Sequence, residues 1–363
     1  MRLSKSVVVI VLGTLLLVVA AWLSQRSIWT KSSQALVVYC AHDAEYSEPI
    51  LKEFERRTGI PMLIRFDTEA TKSLGLINLL IHEKSQPRCD VFWNNELLGM
   101  LDLQAQEVLQ PYRGSGYERI PDRYKDPEGY WTGFAARLRV DIVNTSKVKA
   151  DPEAVEELWK ADKLNSLAIA KPLYGTTLVH YAVLSQQWGL PRLKAWHRET
   201  RDRGLNEVNG NATVKNLVAQ GACSAGWTDT DDFFVAKDAG LPVAMLPVRV
   251  NQNQTICIPN CVALIQGSQH TPEAQQLIDF LLSAETELKL AKSSARQVPL
   301  GKMDPVTLPT EVRELAAWAQ DGVDLRLLYA ARQGCVAWLT EEYLRYSPAA
   351  TVTPPATTGA PSP

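Results

Sequence analysis

The sequence lacks the short motifs that mark the common classes of enzyme. It contains no Gly-x-Ser-x-Gly turn, no glycine-rich phosphate loop, no His-Glu-x-x-His and no paired zinc cysteines. Cys40 and His42 are the nearest approach to a catalytic thiol–imidazole pair. Residues two apart where a strand runs into a loop rarely reach the geometry that such a pair needs. The sequence therefore contains no motif that indicates an enzyme.

An excess of positive charge is also lacking. The 363 residues carry a formal net charge of −2, and no basic patch with interleaved aromatic residues is present. This excludes an electrostatic fit to nucleic acid. Apolar residues make up 46% and charged residues 21%, the balance of a globular chain that is long enough for two lobes. Ten tryptophans indicate large buried anchors or cleft walls.

Cysteines are few, and their spacing is poor for a metal site. The only close pair among the six, Cys257 and Cys261, lies in an apolar stretch with no second pair or histidine nearby. An even number of cysteines permits disulfides in an exported chain. Buried thiols or disulfides are therefore the expected states.

Both ends of the chain differ in composition from a folded core. Residues 1–34 begin with basic side chains and an apolar run, Val7 to Leu23, which predicts a signal peptide or an N-terminal membrane anchor. The positive flank would stay in the cytoplasm, so the rest of the chain would be periplasmic or otherwise extracytoplasmic. Residues 347–363, rich in Pro, Thr and Ala, are predicted to be disordered.

Strand-like and helix-like patterns alternate between these two segments. A short β-rich run, Leu36 to Tyr39, precedes a helical pattern, and further strands are predicted at 61–66, 90–93, 137–143, 166–170, 224–227, 241–247 and 256–265. This order predicts an α/β fold with parallel strands, in which ligands bind beyond the carboxyl ends of the strands.

Five stretches, in order along the chain, resemble one family. They are LVVYCAHDAEYSEPILKEFERRTGI (36–60), CDVFWNNELLGM (89–100), GYWTGFAARLRVDIVNT (129–145), NGNATVKNLVAQGACSAGWTDTDD (209–232) and HTPEAQQLIDFLLSAE (270–285). Together they are similar to the type II periplasmic solute-binding proteins of ABC importers, and in particular to the ferric-ion-binding branch. The resemblance implies the type II periplasmic-binding-protein fold, with two α/β lobes and a ligand cleft between them.

The same resemblance implies a division of the chain and a mode of action. Residues 35–136 plus 262–311 would form lobe 1, and residues 137–261 plus 312–346 would form lobe 2. The lobes would close over a ligand as a hinge, and an ABC permease in the cytoplasmic membrane would recognise the closed form. A monomer without a cofactor is expected, whose ligand is the transported small solute or metal ion.

Candidate site residues of lobe 1 follow by position in the family. Asp43 stands where iron-binding members place a histidine ligand, and His42 is one residue earlier. Asn95 stands where they place a glutamate, and Glu96 is one residue later. The resemblance therefore implies a ligand role for Asp43 and Asn95, with His42 and Glu96 as alternatives.

In lobe 2, Asp231 and Asp232 replace the two adjacent tyrosines of the iron-binding members. Arg137 matches an arginine that supports the bound anion, and Asn211 matches an asparagine that precedes a helix of lobe 2. Tyr174, in a Pro-Leu-Tyr-Gly turn, is a further candidate because it offers a phenol from a different loop. The scaffold of the family is thus predicted to be kept while its iron-binding tyrosines are lost.

Two kinds of ligand fit these residues. A hard cation, such as iron, would suit His42, Asp43, Asp231 and Asp232, because carboxylates and imidazole are hard ligands. An amine-bearing organic solute would pair its ammonium with the two lobe 2 aspartates and its anionic end with Arg137, as an aminophosphonate could. A membrane-tethered ligand sensor is a third possibility. The acidic run from Asp229 to Asp232 could also simply begin a helix.

Overall fold

The structure is a computed structural model that describes residues 35–67 and 74–346. The predicted export segment, 1–34, and the predicted disordered tail, 347–363, lie outside the described residues. No helix within the described ranges has both the length and the apolar character needed to span a membrane.

Apolar runs form the strands, and several of them are buried along their whole length. The described strands are β1 (Leu36–Cys40), β2 (Met62–Phe66), β3 (Val91–Asn94), β4 (Leu109–Gln110), β5 (Thr132–Asn144), β6 (Leu167–Ala170), β7 (Asn206–Val208), β8 (Ala225–Asp229), β9 (Val243–Pro247), β10 (Arg249–Val250), β11 (Gln254–Thr255) and β12 (Cys257–Ile265). Burial on both faces follows from the helices that cover the sheet.

The helices begin and end at residues that suit helix termini. The first helix, for example, ends at Gly59, whose φ of 72° lets its N–H bond the carbonyl of Glu55. The described helices are α1 (Ala44–Thr58), α2 (Leu74–His82), α3 (Leu98–Ala105), α4 (Ser115–Glu118), α5 (Pro152–Lys160), α6 (Gly175–Trp188), α7 (Leu190–Asp202), α8 (Asn211–Ala219), α9 (Thr230–Asp238), α10 (Thr271–Leu281), α11 (Ala284–Lys292), α12 (Thr310–Gln320) and α13 (Tyr329–Tyr346). Short 3₁₀ turns lie at Asp122–Tyr124, Pro305–Thr307 and Leu325–Leu328.

One sheet of two halves organises these elements. Its strand order is β2-β1-β3-β12-β5-β8-β6-β7, with β4 paired to β12 and β9 paired to β5. In one half, β1 lies parallel to β2 and β3; in the other, β6 lies parallel to β7 and β8. The expected α/β fold with parallel strands is therefore present in each half.

Strand β5 crosses from one half to the other. Its residues from Thr132 to Leu138 pair with β12, and those from Arg139 to Asn144 pair with β8 and β9. The strand predicted at 137–143 was too short, because only this second part has a simple apolar alternation. We call the β1 side lobe 1 and the β6 side lobe 2. The predicted residue boundaries of the lobes stay a prediction.

A conformational irregularity marks the lobe 1 part of β5. Ala135 has a φ of 42°, which is unusual for a residue with a Cβ, and the pairing register of β12 shifts between Ile258 and Asn260. The N–H of Ala135 donates to the buried carboxylate of Glu287 at 2.8 Å. The same carboxylate accepts from the N–H of Leu300 at 2.8 Å. The irregular part of β5 is thus anchored to lobe 1.

The C-terminal helix α13 touches both lobes. It packs on α6 of lobe 2 and also on α3 of lobe 1. Arg332 of α13 forms an ion pair with Asp102 of α3, and Gln333 donates to the same carboxylate at 2.6 Å. This helix is therefore a second link between the lobes besides the crossing strands.

The cysteines are structural. All six are free and buried, which confirms the expectation of buried thiols and gives no disulfide between them. The thiol of Cys40, for example, contacts the carbonyl of His42 at 3.7 Å.

A cluster of tryptophans encloses one carboxylate in lobe 2. The ring of Trp227 lies 4.8 Å from that of Trp159 and 5.8 Å from that of Trp196. Asp141 of β5 is partly buried beside them, and its Oδ1 has no hydrogen-bond partner among the described residues. Burial raises the pKa of Asp141 to about 7, although Arg139 and the side chains of Trp159 and Trp227 act to lower it.

We predict that Asp141 makes stability depend on pH. Its pKa is higher in the folded chain than in the unfolded chain, so its contribution is full below pH ~4 and is lost as the pH rises to about 7. Asp141→Asn should therefore raise the free energy of unfolding at pH 8 by about 2 kcal/mol and have little effect at pH 4. Urea unfolding at both pH values tests this. The exposed Asp162→Asn is the control, and an equal effect of both variants would contradict the prediction.

Candidate functional site

A cavity of about 350 Å³ lies between the lobes, where strands end and helices begin. The starts of α1, α6, α8 and α9 all reach it. Of the residues predicted to bind a ligand, those that line this cavity are Asp43, Asn95, Arg137, Tyr174, Asn211, Asp231 and Asp232. Side chains that are far apart in sequence are thus brought to a single cleft.

The lobe 1 wall carries acidic and phenolic groups. Asp43 directly precedes α1, Asn95 directly follows β3, and Glu45 and Tyr46 lie in the first turn of α1. Burial raises the pKa of Tyr46, and the negative charges of Asp231 and Glu45 raise it further. The charge of Asp231 therefore acts across the cleft, from lobe 2 on a group of lobe 1.

His42 is placed behind this wall instead of in it. Its ring is buried and stacks on Trp93 with a centroid distance of 5.5 Å. Its Nε2 lies 3.0 Å from Nε2 of Gln297, whose side chain also accepts from Asn260 at 3.0 Å. His42 does not line the cavity, and these contacts give it a role in packing lobe 1.

Glu96 is likewise turned away from the cleft. Its buried carboxylate accepts from the backbone N–H groups of Leu98 and Gly99 at the start of α3, and from the amide of Asn94 at 3.1 Å. Burial raises the pKa of Glu96, while Arg332 and these hydrogen bonds oppose the rise. Glu96 therefore accepts hydrogen bonds at the start of α3, whereas Asn95, one residue earlier, lines the cleft.

The strongest polar centre of the cleft is Asp229, the last residue of β8. Only 3% of Asp229 is exposed. Its Oδ1 accepts from Nη1 of Arg139 at 2.7 Å. Its Oδ2 accepts from the hydroxyl of Thr176 at 2.7 Å, from the amide of Asn211 at 3.0 Å and from Nε of Arg137 at 3.4 Å. Burial would raise its pKa, but the two arginines and Thr176 outweigh that effect and lower it, so the carboxylate is ionised.

Arg137 faces the cleft from β5. Only 3% of it is exposed, and its Nη1 has no hydrogen-bond partner among the described residues. Its Nε lies 3.4 Å from Asp229 and 3.8 Å from Asp231. Burial would lower its pKa, but Asp229, Asp231 and, from lobe 1, Asp43 outweigh burial and raise it. A buried cation with an unused donor is a site for an anionic group.

Asp231 and Asp232 lie in the first turn of α9, so they begin a helix and line the cleft at once. Oδ1 of Asp231 accepts from the N–H of Asp232 at 3.0 Å. Oδ2 of Asp232 accepts from the hydroxyl of Thr228 at 2.8 Å. Asp229 occupies the position before the helix but makes no side-chain cap, because its oxygens serve the arginines. The two interpretations of the acidic run are therefore compatible.

The remaining lobe 2 wall is rich in donors. Lys171, just after β6, and Lys215 of α8 line the cavity together with Gly175 and Ala212 in the first turns of α6 and α8. N–H groups in a first helical turn have no partner within the helix and favour anions. The hydroxyl of Tyr174 donates to the carbonyl of Asn209 at 2.9 Å, so this phenol also fixes the loop before α8.

These placements bear on the predicted metal site. Within the described part of the chain, no three side chains of His, Cys, Asp or Glu form a group that could hold a metal ion. His42, which was part of the predicted set, packs inside lobe 1. Metal binding by Asp43, Asp231 and Asp232 stays a prediction.

The sequence interpretation missed several lining residues, of which Lys171, Lys215 and Asp229 matter most for charge. Lys171 and Asp229 stand where β6 and β8 end, so the rule that ligands bind beyond strand ends would have indicated both. Lys215 is four residues after Asn211 and lies on the same helix face.

Comparison with known proteins places this cleft in context. A family model described as bacterial extracellular solute-binding protein matches residues 50–302. The "Fe(3+)-binding periplasmic protein" of Serratia marcescens is 24% identical over 197 residues, which are 54% of this chain and 56% of that protein. The chain thus spans about half the length of this relative in the match.

Solved structures share the fold at low identity. The ferric binding protein from Campylobacter jejuni superposes with a TM-score of 0.73 at 20% identity, over 84% of this chain and 98% of that chain. The periplasmic binding protein AfuA from Actinobacillus pleuropneumoniae, with exogenous fructose-6-phosphate bound, gives 0.69 at 18% identity, over 85% and 98%. These likenesses confirm the predicted fold and the predicted resemblance to the ferric-ion-binding group.

The contacts of Glu96 generate a prediction about stability. Glu96→Ala should lower the free energy of unfolding by about 2–3 kcal/mol, because it leaves buried N–H groups of α3 without an acceptor. Lys215→Ala, which removes a charged side chain of the cleft wall, should change it by less than about 0.5 kcal/mol. Urea unfolding of both variants provides the measurement. A neutral Glu96→Ala would refute the helix-start role.

Proposed function

The chain belongs to the bacterial extracellular solute-binding proteins, and on that premise we propose that it captures a small bipolar organic solute for an ABC importer. Members of this family deliver their ligand to a membrane permease. The proposed solute carries an anionic group, such as a phosphonate, phosphate or carboxylate, at one end and an ammonium group at the other. The proposed place of action is the periplasm, and no conversion of the solute is involved.

The proposal rests on the buried guanidinium of Arg137 and its unused hydrogen-bond donor. Its guanidinium is buried at the cleft, its Nε is engaged by Asp229, and its Nη1 has no partner among the described residues. A buried charged donor left unsatisfied costs free energy, which an anionic ligand would recover. Lys171, Lys215 and the first turns of α6 and α8 supply further positive potential beside it.

The acidic side chains of the cleft support an ammonium group at the other end of the solute. Asp43 and Glu45 of lobe 1 line the same cavity as Asp231 and Asp232 of lobe 2. The effect of Asp231 on the pKa of Tyr46 supports a short separation between these two walls. An ammonium group between the walls would be attracted to both, so it would favour closure of the lobes.

A metal cargo is the second candidate. It is favoured by the names of relatives, since the Serratia protein is described as Fe(3+)-binding and the Campylobacter protein as ferric binding. The AfuA structure, by contrast, holds fructose-6-phosphate on the same fold, so the fold accepts an organic anion as well. We favour the organic solute because Nη1 of Arg137 offers an unused donor to an anion, whereas the described His, Cys, Asp and Glu side chains form no group of three that could hold a metal ion.

Matched probes separate these candidates. Aminomethylphosphonate, methylphosphonate, methylamine and ferric citrate would be added in turn to the full chain, and binding measured by thermal shift and calorimetry. We expect the bipolar compound to bind at least about tenfold more tightly than either single-pole compound, because it satisfies Arg137 and the acidic walls together. Stabilisation by ferric citrate alone would favour the metal candidate instead.

Variants locate the anionic pole. Arg137→Gln should weaken binding of aminomethylphosphonate by about 10- to 100-fold, and Arg137→Lys by less, because lysine keeps the charge but not the planar fork. Lys215→Ala should weaken it by a smaller factor, whereas the exposed Lys163→Ala should leave it unchanged. Equal binding by the wild type and Arg137→Gln would contradict the proposed contact.

A further inference from the structure

Asp229 makes more hydrogen bonds than any local role as a helix start would need. Its donors come from three separate elements: Arg137 and Arg139 from β5, Thr176 from the first turn of α6, and Asn211 from the first turn of α8. It does not cap its own helix, α9. The carboxylate thus accepts hydrogen bonds from residues that lie 18 to 92 positions away in sequence.

The same set of donors would suit an external anion. Two guanidinium groups, a hydroxyl and an amide converge at the beginnings of two helices, and such helix starts are common binding sites for anions. Arg139 is fully buried and directs Nη1 to Asp229 at 2.7 Å. Nε of Arg137 lies 3.4 Å from Asp229 and 3.8 Å from Asp231, and Nη1 of Arg137 has no hydrogen-bond partner among the described residues.

We propose that the carboxylate of Asp229 is a resident anion. It fills one half of the anion-binding site formed by the donors named above, and so determines which solutes the cleft binds. It occupies the half beside Arg139, Thr176 and Asn211. The half beside Nη1 of Arg137 is left for the anionic group of the solute. The resident carboxylate therefore excludes a second anionic group, and the cleft selects solutes with a single one.

This inference deepens the proposed function but is tested without its solute. In Asp229→Ala the carboxylate is deleted, and formate, which has the size and charge of the missing group, should occupy its place. The matched control is Asp232→Ala, which removes another acid of the cleft, one whose Oδ2 accepts from the hydroxyl of Thr228. Thermal unfolding of the full chain is compared in sodium formate and in sodium chloride at equal ionic strength.

We expect Asp229→Ala to melt below the wild type in chloride and to gain at least about 3 °C in formate beyond the change seen in the wild type. Asp232→Ala should respond as the wild type does. An equal gain in both variants would mean that only the overall charge of the cleft matters, and it would overturn the proposal, as would the absence of any gain.

A second variant keeps the test decisive if Asp229→Ala does not fold. Asp229→Asn conserves the shape of the side chain and releases the charge of Arg139. Sulfate, measured by calorimetry, should then bind at least about tenfold more tightly than to the wild type or to Asp232→Asn. No gain over these two would refute the resident-anion role. Failure of aminomethylphosphonate to bind the wild type would refute the proposed solute but would not affect either anion result.

Discussion

The cleft depends on the ion pairs of one buried carboxylate. Asp229 joins the crossing strand β5, through Arg137 and Arg139, to the starts of α6 and α8, through Thr176 and Asn211. A buried guanidinium without a partner would be costly, and so would a buried carboxylate. Each compensates the other, and together they hold the lobe 2 wall in one arrangement.

This compensation leaves the cleft with two distinct surfaces. The arginine, lysines and helix starts attract anions, whereas Asp43, Glu45, Asp231 and Asp232 attract cations, and Asp231 lies only 3.8 Å from Nε of Arg137. The ferric binding protein from Campylobacter jejuni shows only that the scaffold is shared, because its identity to this chain is 20%. The side chains that line the cavity of this chain therefore decide which ligand it binds.

Much of the architecture could be predicted because it rests on local pattern. Apolar runs predicted β1, β8 and β12 to within a few residues, since each is buried along most or all of its length. The length of β5 could not be predicted, because its two parts serve different partner strands and share no single alternation.

The site was harder to predict, because single positions decide which way a side chain points. Asp43 reaches the cleft while its neighbour His42 packs on Trp93. Asn95 reaches it while Glu96 holds the start of α3. The position of Asp229 at the end of β8 indicates a cleft residue, but its bond to Arg139, which is 90 positions away, could not be predicted from a local pattern.

The irregular conformation of Ala135 has a mechanical consequence. A strand that is already twisted out of regular pairing at one residue resists torsion less there than elsewhere, so relative rotation of the lobes would concentrate at that point. Glu287 fixes this point to the framework of lobe 1. Lobe 2 would therefore rotate and carry Asp229 with it, while the wall formed by Asp43 and Tyr46 would remain stationary.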